Sequence, residues 1–383
     1  MVVTLPDIGV TLKTLTFDKP IIVDADVGLF DEKSILRFNG FPVGGVIIGS
    51  VIGDDLEKQV KSISELPYSV EKKNKYFRIV FPLKYIKSDN EAKIEELVRV
   101  VREVLGVKII VRVSATQYSR WISLVEAFSD KGDAIEMDFV PPFFLSEKHG
   151  FERLMIEIVR DAVSFSSSPI LVRIPINMSY EYSKILDMLN SIGIEAVVFS
   201  GTYVRSQLMP GQEKELNVLT RSSELTDYII SVGKPWESPI PVGISTEIGF
   251  YEDLLRIFSS GFKIVESGFD LLLMGKKSAL ETLRKLEEKM KELGVSKLDE
   301  LVKENKLFRE HRRGITAYID EDLCTTCNKE YLCVNACPYA AIETGISKPY
   351  VNEQKCSGCM FCVHVCPVNA IKTGFTVKIE ELE

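Results

Sequence analysis

All eight cysteines of this 383-residue chain lie between Cys324 and Cys366, and residues 1–323 contain none. They form two runs, Cys324-x2-Cys327-x5-Cys333-x3-Cys337-Pro338 and Cys356-x2-Cys359-x2-Cys362-x3-Cys366-Pro367. Both continue alike, as Cys337-Pro-Tyr-Ala-Ala-Ile-Glu-Thr-Gly345 and Cys366-Pro-Val-Asn-Ala-Ile-Lys-Thr-Gly374, which makes the segment an internal repeat. Cysteines in such a pattern suit iron–sulfur clusters, with a disulfide framework or zinc as the alternatives. A disulfide framework would suit a small secreted domain, and the opening Met1-Val-Val-Thr-Leu-Pro-Asp7 lacks the basic run and apolar core of a leader. Two zinc sites would use four cysteines each but give no reason for the repeated Cys-Pro. Clusters are therefore the favoured chemistry. His364, inside the second run, is expected near the surface or behind the ligands rather than among them.

The second run follows the bacterial ferredoxin pattern without deviation, and the first adds three residues, drawn from the stretch 328–332, between its second and third cysteines. The segment thus resembles the two-cluster ferredoxins, in which a tight loop aims three thiolates at one cluster and the fourth arrives from the other run. The resemblance implies one [4Fe–4S] cluster on Cys324, Cys327, Cys333 and Cys366, and a second on Cys356, Cys359, Cys362 and Cys337. Pro338 and Pro367 would then turn the chain away after each exchanged ligand. The added loop around Tyr331 is expected beside the first cluster, where bulk shifts the potential through burial.

These ligands need a scaffold, and the remaining sequence supplies a larger one. Length and 45% hydrophobic content suffice for a sizeable core and favour two domains. A net charge of −8 argues against nucleic-acid binding, and no apolar run approaches the ~20 residues of a membrane span, so a cytoplasmic protein is expected. Eight apolar, β-rich segments recur: 21–24, 43–48, 108–113, 134–139, 170–175, 196–200, 240–245 and 263–266. Between most of them lie amphipathic helical stretches, including 94–105, 151–164, 180–192 and 251–259. This alternation predicts a parallel sheet covered by helices, and eight repeats favour closure. The expected fold is α/β, a (β/α)8 TIM barrel over residues 1–303, a charged linker over 304–316, and a small α+β two-cluster ferredoxin domain over 317–383. An open doubly wound sheet is the alternative to the barrel. The stretch 2–17 is expected to form a hairpin over the barrel bottom, 76–81 an additional strand, and 278–293 a solvated outer helix. His311-Arg312-Arg313 reads as part of a solvated linker.

Three stretches carry a further resemblance: Ile135-Glu-Met-Asp-Phe-Val-Pro-Pro142, Val172-Arg-Ile-Pro175 and the closing helical text 286–301. They resemble the FMN-dependent dihydroorotate dehydrogenases and the related flavin domain of dihydropyrimidine dehydrogenase, over roughly residues 15–303. The resemblance implies FMN in the barrel, with Arg173 against the flavin N1, Thr202 on the sixth strand, and Ser267-Gly268 as half of a phosphate site. Departures fall on the same rim. Pro141 stands where the family has its proton-abstracting residue, Asp138 replaces an amide, and Gly49-Ser50 replaces a lysine. Thr246-Glu247 replaces the Gly-Gly that lets a phosphate approach, with Arg221 and Lys263 as conceivable compensating charges. Asp138 and Tyr203 are the weak candidates for a substrate acid.

Two readings follow. In one, a barrel-bound flavin exchanges electrons with the clusters and reduces or oxidises a C=C bond in a pyrimidine-like ring. In the other, the barrel has lost flavin and serves as a docking body in an electron-transfer subunit. Both expect a redox partner protein or flavoprotein subunit, and the family resemblance adds a homo- or hetero-oligomer.

Overall fold

A computed structural model describes residues 5–64, 69–73, 76–81, 84–145, 150–176, 182–208, 215–222, 225–248, 251–302, 315–329, 331–337, 340–353, 355–356, 362–363 and 366–375. The chain divides into two compact units, one of residues 1–226 with 233–302, the other of 303–383 with 227–232.

The first unit is a closed eight-stranded parallel barrel. Its strands are β1 (Ile21–Val23), β2 (Gly45–Ile52), β3 (Lys108–Ser114), β4 (Ala134–Asp138), β5 (Ile170–Pro175), β6 (Ala196–Ser200), β7 (Val242–Ser245) and β8 (Ile264–Ser267). Each pairs in parallel with the next, and β8 pairs with β1 to close the ring. Strands buried on both faces explain the continuous apolar text. All eight expected strands are present, and the closed barrel replaces the open-sheet alternative. Boundaries differ by one or two residues at several ends, and the largest difference is in β2, which runs on to Ile52, so Gly49 and Ser50 lie inside the strand, at a register shift between Ile48 and Val51. Gly49 has φ +127, and a Cβ there would sit 2.6 Å from the Arg112 carbonyl oxygen, so only glycine fits this kink.

Helices Phe151–Phe165, Tyr182–Ile192 and Tyr251–Ser259 lie where the periodicity places them. The stretch 94–105 begins earlier, at Glu91, and finishes as a π-helical turn over Val101–Leu105. The outer helix Phe269–Glu292 breaks at Gly275 (φ 75). Its Ala279, Leu283, Leu286 and Met290 are buried, while Arg284 pairs with Glu281 and Glu288 on the solvent side.

The barrel floor is apolar. Val10–Thr11 pairs with Thr16–Phe17 as the expected hairpin, and its Val10, Leu12, Leu15 and Phe17 join the first interior layers, including Ile22, Ile47, Ile110, Leu171 and Ile264. The buried Glu195 latches the hairpin tip, accepting from the backbone N–H of Lys13 (2.9 Å), Thr14 (2.6 Å) and Leu15 (2.7 Å) and from Thr14 Oγ1 (2.9 Å). At the other end of the strands, Tyr76–Phe81 is an extra strand as expected. It belongs to a four-stranded antiparallel sheet with Ser69–Lys73, Glu215–Ser222 and Thr202–Leu208. The sequence reading had not paired these insertions.

In the second unit β9 (Ile315–Ile319) pairs antiparallel with β12 (Ile371–Phe375), and β10 (Ile342–Thr344) with β11 (Pro349–Val351). Residues 304–314 of the expected linker 304–316 lie outside the described residues, as do Cys359 and His364, and the last two, Ile315 and Thr316, belong instead to β9.

Candidate functional site: a cysteine cavity and an ionic barrel core

The repeat seen in the cysteine text is also a repeat of backbone geometry. Cys337 and Cys366 each open a turn in which the carbonyl accepts the N–H three residues on, from Ala340 (3.2 Å) and Asn369 (3.3 Å). Those two residues are left-handed, at φ 47 and 53, and the following Ala341 and Ala370 donate their N–H to the Sγ of Cys337 (3.3 Å) and Cys366 (3.2 Å). Such bonds stabilise negative charge on sulfur. Next in line, Ile342 and Ile371 fill the small core beside Cys333 and Cys362.

Each tail is tied to the head of the other run. The Asp320 N–H donates to the Ala370 carbonyl (2.7 Å), and Cys324 N–H bonds back to the Asp320 carbonyl (3.0 Å). In the same way Asn352 N–H donates to Ala341 (2.7 Å), and Cys356 N–H to Asn352 (3.0 Å). The main chain therefore couples Cys324 with Cys366, and Cys356 with Cys337. Around the first pair the side chains follow: Cys324, Cys327, Cys333 and Cys366 line one cavity, with Tyr331 and Pro349 in its wall. Thr326, Cys327 and Tyr331 are left-handed (φ 57, 50 and 47), the kind of local strain that ligand clamps hold. Burial pushes the Cys333 thiol up to about 11, so a positive centre is needed to keep it as a thiolate at neutral pH. Among the described residues no three His, Cys, Asp or Glu side chains are gathered as one metal ion would require. Cys324, Cys327, Cys333 and Cys366, four thiols around a shared, largely apolar cavity, fit a four-iron cluster and would hold it there. Tyr331 lies beside this cavity, as its place in the added loop suggested.

The upper half of the barrel is charged. Parallel register sets Arg112 beside Glu136 and Arg173 beside Asp138, and inward-facing alternation directs them to the axis. Arg112, completely buried, reaches Asp24 (2.7 Å), Glu136 (3.0 Å), Glu266 (3.1 Å) and Asp26 (3.3 Å). Arg173 reaches Asp138 (2.8 Å), Asp26 (3.1 Å) and Ser245 Oγ (3.2 Å). Ser245 Oγ in turn donates to Asp24 Oδ2 (2.9 Å). Five carboxyls thus face two guanidinium groups. Burial, then the neighbouring Glu136, holds Glu266 well above the ordinary carboxyl range, and burial raises Glu136 as well. Protonation of Glu266, which burial and Glu136 favour and whose Oε1 is buried without a hydrogen-bond partner, would relieve the excess.

The FMN expectations can be set against this geometry. Arg173 is engaged by three side chains. Asp138 holds Arg173 and accepts the Val140 N–H (3.0 Å), which caps the helix that carries Pro141 in its first turn. Thr202 is buried, its N–H on Ser200 Oγ (3.2 Å). Tyr203 lies in the side sheet opposite Thr220, and its side chain is outside the described residues. So is that of Arg221. Lys263 is at the start of β8, paired with Asp299 at the surface, at the end of the barrel away from the rim, so it cannot compensate. At the phosphate position, Glu247 Oε2 accepts the N–H of Asp270 (3.1 Å) in the first turn of the helix that follows β8. Ser267 Oγ donates to Asp270 Oδ1 (2.6 Å) and Ile248 N–H to Oδ2 (2.6 Å); burial raises Asp270. Gly268 backs onto Val27, whose Cγ1 would lie 2.1 Å from an added Cβ. The groups that would meet flavin and phosphate are held by the chain's own carboxylates and do not fit FMN.

Sequence reasoning named Arg173 and Asp138 but missed Asp24, Asp26, Arg112, Glu136 and Glu266. A signal existed: Val-Arg112-Val, Ile-Glu136-Met, Val-Arg173-Ile and Val-Glu266-Ser each set one charge inside an apolar strand.

No helix among the described residues is long and apolar enough to cross a membrane. No curated protein matches the chain. Residues 349–372, spanning the second cysteine run, match the 4Fe-4S binding domain family, and the chain therefore carries an iron–sulfur electron-transfer module C-terminal in sequence to its barrel.

Proposed function

We propose that the chain is an electron-transfer protein holding two [4Fe–4S] clusters, one on Cys324, Cys327, Cys333 and Cys366, the other on Cys356, Cys359, Cys362 and Cys337. The observation that carries the reading is the shared cavity of the first four thiols. The paired backbone ties, Asp320 to Ala370 and Asn352 to Ala341, extend the same exchange to the second set. Each cluster, when bound, supplies one-electron chemistry. The chain's own residues orient the thiolates, donate N–H to sulfur at Cys337 and Cys366, and exclude water with Ile342, Ile371 and the loop at Tyr331.

The barrel, in this reading, is a docking body for a redox partner rather than a flavin enzyme. Its support is the commitment of Arg173 and of the helix N-terminus at Asp270 to internal carboxylates. An inserted FMN phosphate would have to displace Glu247, since a carboxylate ~4 Å away costs about 1–4 kcal/mol even when solvated. Anaerobic purification followed by iron, sulfide and acid-released flavin assays tests both parts. About eight irons, as two four-iron clusters require, with no flavin after incubation with FMN, is the expected result. One FMN per chain would overturn the barrel assignment, and about four irons would remove one cluster.

A further inference from the structure

Among the described residues the pseudo-symmetry of the second unit is broken beside the first cavity. Aligning the two backbone ties superimposes Asp320 on Asn352 and Cys324 on Cys356, so Leu323 corresponds to Lys355. Leu323 is 46% exposed, immediately before a cysteine of the first cavity. Leu332, from the added loop, is also exposed and flanks Tyr331 and Cys333 of the same cavity. The turn after β10 carries Ile346, which is wholly exposed, and Lys348 Nζ donates to the Glu321 carbonyl, bringing that turn to the Leu323 segment. Pro349 of the same turn lines the cavity. The corresponding position before Cys356 is occupied by Lys355, which pairs with Glu343 (2.8 Å).

Leu323 and Leu332, each exposed and next in sequence to a cysteine of the first cavity, and the exposed Ile346 on the turn tied to the Leu323 segment, mark one face for contact, whereas the position before Cys356 is charged. Glu321 and Asp322, both exposed, border Leu323. Residues 315–383 as a whole carry nine Asp and Glu against five Lys and no Arg. From these features we infer that the first cavity is the electron-exchange port, and that it docks a one-electron partner whose redox edge is apolar and ringed by basic residues. The contact would be of the small, transient kind used in electron transfer. Exchange moves one electron from the reduced cluster to the partner's one-electron centre; no bond changes and no proton moves.

This inference rests on the two-cluster reading. Cytochrome c, a basic one-electron acceptor, is the probe, and its redox-inert zinc form reports binding alone. Leu323→Lys places at the first cavity the residue found at the second, and Lys355→Leu does the reverse. In protein first shown by iron content and electron paramagnetic resonance to hold both clusters, Leu323→Lys and Ile346→Lys should each lower the second-order oxidation rate about tenfold. Both should weaken zinc–cytochrome binding in parallel, with cluster potentials unchanged. Lys355→Leu should stay within about twofold, and the wild-type rate should fall as salt is raised. Rates within twofold of wild type for Leu323→Lys, or a tenfold fall in Lys355→Leu alone, would overturn the port. Missing clusters would instead overturn the reading beneath it.

Discussion

Replacing Arg112 by Met tests whether the barrel's upper core is ionic, as its geometry implies. The guanidinium is completely buried and lies within 3.3 Å of four carboxyls, Glu136 on β4, Glu266 on β8, and Asp24 and Asp26 in the turn after β1. Methionine roughly conserves the apolar stem but leaves Asp24 and Glu136 as buried charges without their main partner. Breaking a buried pair in this way costs about 3–5 kcal/mol, a large part of a typical 5–15 kcal/mol stability. At about 2–4 °C per kcal/mol for a large domain, Tm should fall by roughly 6–20 °C near neutral pH. The control is Glu266→Gln, which conserves shape while removing a charge that burial already disfavours; it should remain within about 1 kcal/mol of wild type. The pH dependence has a definite sign. Glu266 has its folded pKa raised above the unfolded value, so its contribution is fully present below the ordinary glutamate range and is lost as pH rises through the elevated folded value. Wild type should therefore lose stability on the alkaline side, and Glu266→Gln should flatten that slope. Urea unfolding followed by circular dichroism from acid to alkaline pH reads all three. A loss under 1 kcal/mol in Arg112→Met, or a Glu266→Gln variant as damaged as Arg112→Met, would refute the ionic-core reasoning.

The ligand exchange between runs predicts a pairing of defects. Cys366→Ser and Cys324→Ser, singly or together, should each remove about four irons, whereas Cys324→Ser with Cys337→Ser should remove nearly all; iron loss that groups Cys324 with Cys337 would contradict the assignment. Glu195→Ala strands three backbone donors and should cost about 3 kcal/mol, with hydrogen-exchange protection lost at residues 13–15 before the barrel strands. Gly49→Ala, with a Cβ 2.6 Å from the Arg112 carbonyl, should destabilise by more than about 2 kcal/mol, while Gly106→Ala, left-handed at φ 63 but with open space, should cost nearer 1–2 kcal/mol; equal effects in the two would remove the steric argument.

Local chemistry made much of this protein legible in one dimension. Eight cysteines spaced in two repeated runs announce their ligand chemistry, because thiolates on one short loop are neighbours whatever the remaining chain does. Continuous apolar segments alternating with amphipathic ones likewise specify strands and helices, because burial on two faces or on one leaves different periodicities. Even the floor hairpin and the extra strand at 76–81 could be read this way. The tertiary structure alone decided what depends on closure. Ring closure through β8 and β1 brings Asp24 and Asp26 against Arg112 and Arg173, residues up to 149 positions apart in the chain. It turns isolated charges within apolar strands into one shared network. It also sets Glu247 on the Asp270 N–H, so that a rim whose text resembles a flavin site is satisfied from within. Charge pairing acts over a few ångströms of space, and spacing along the chain does not record which strands meet.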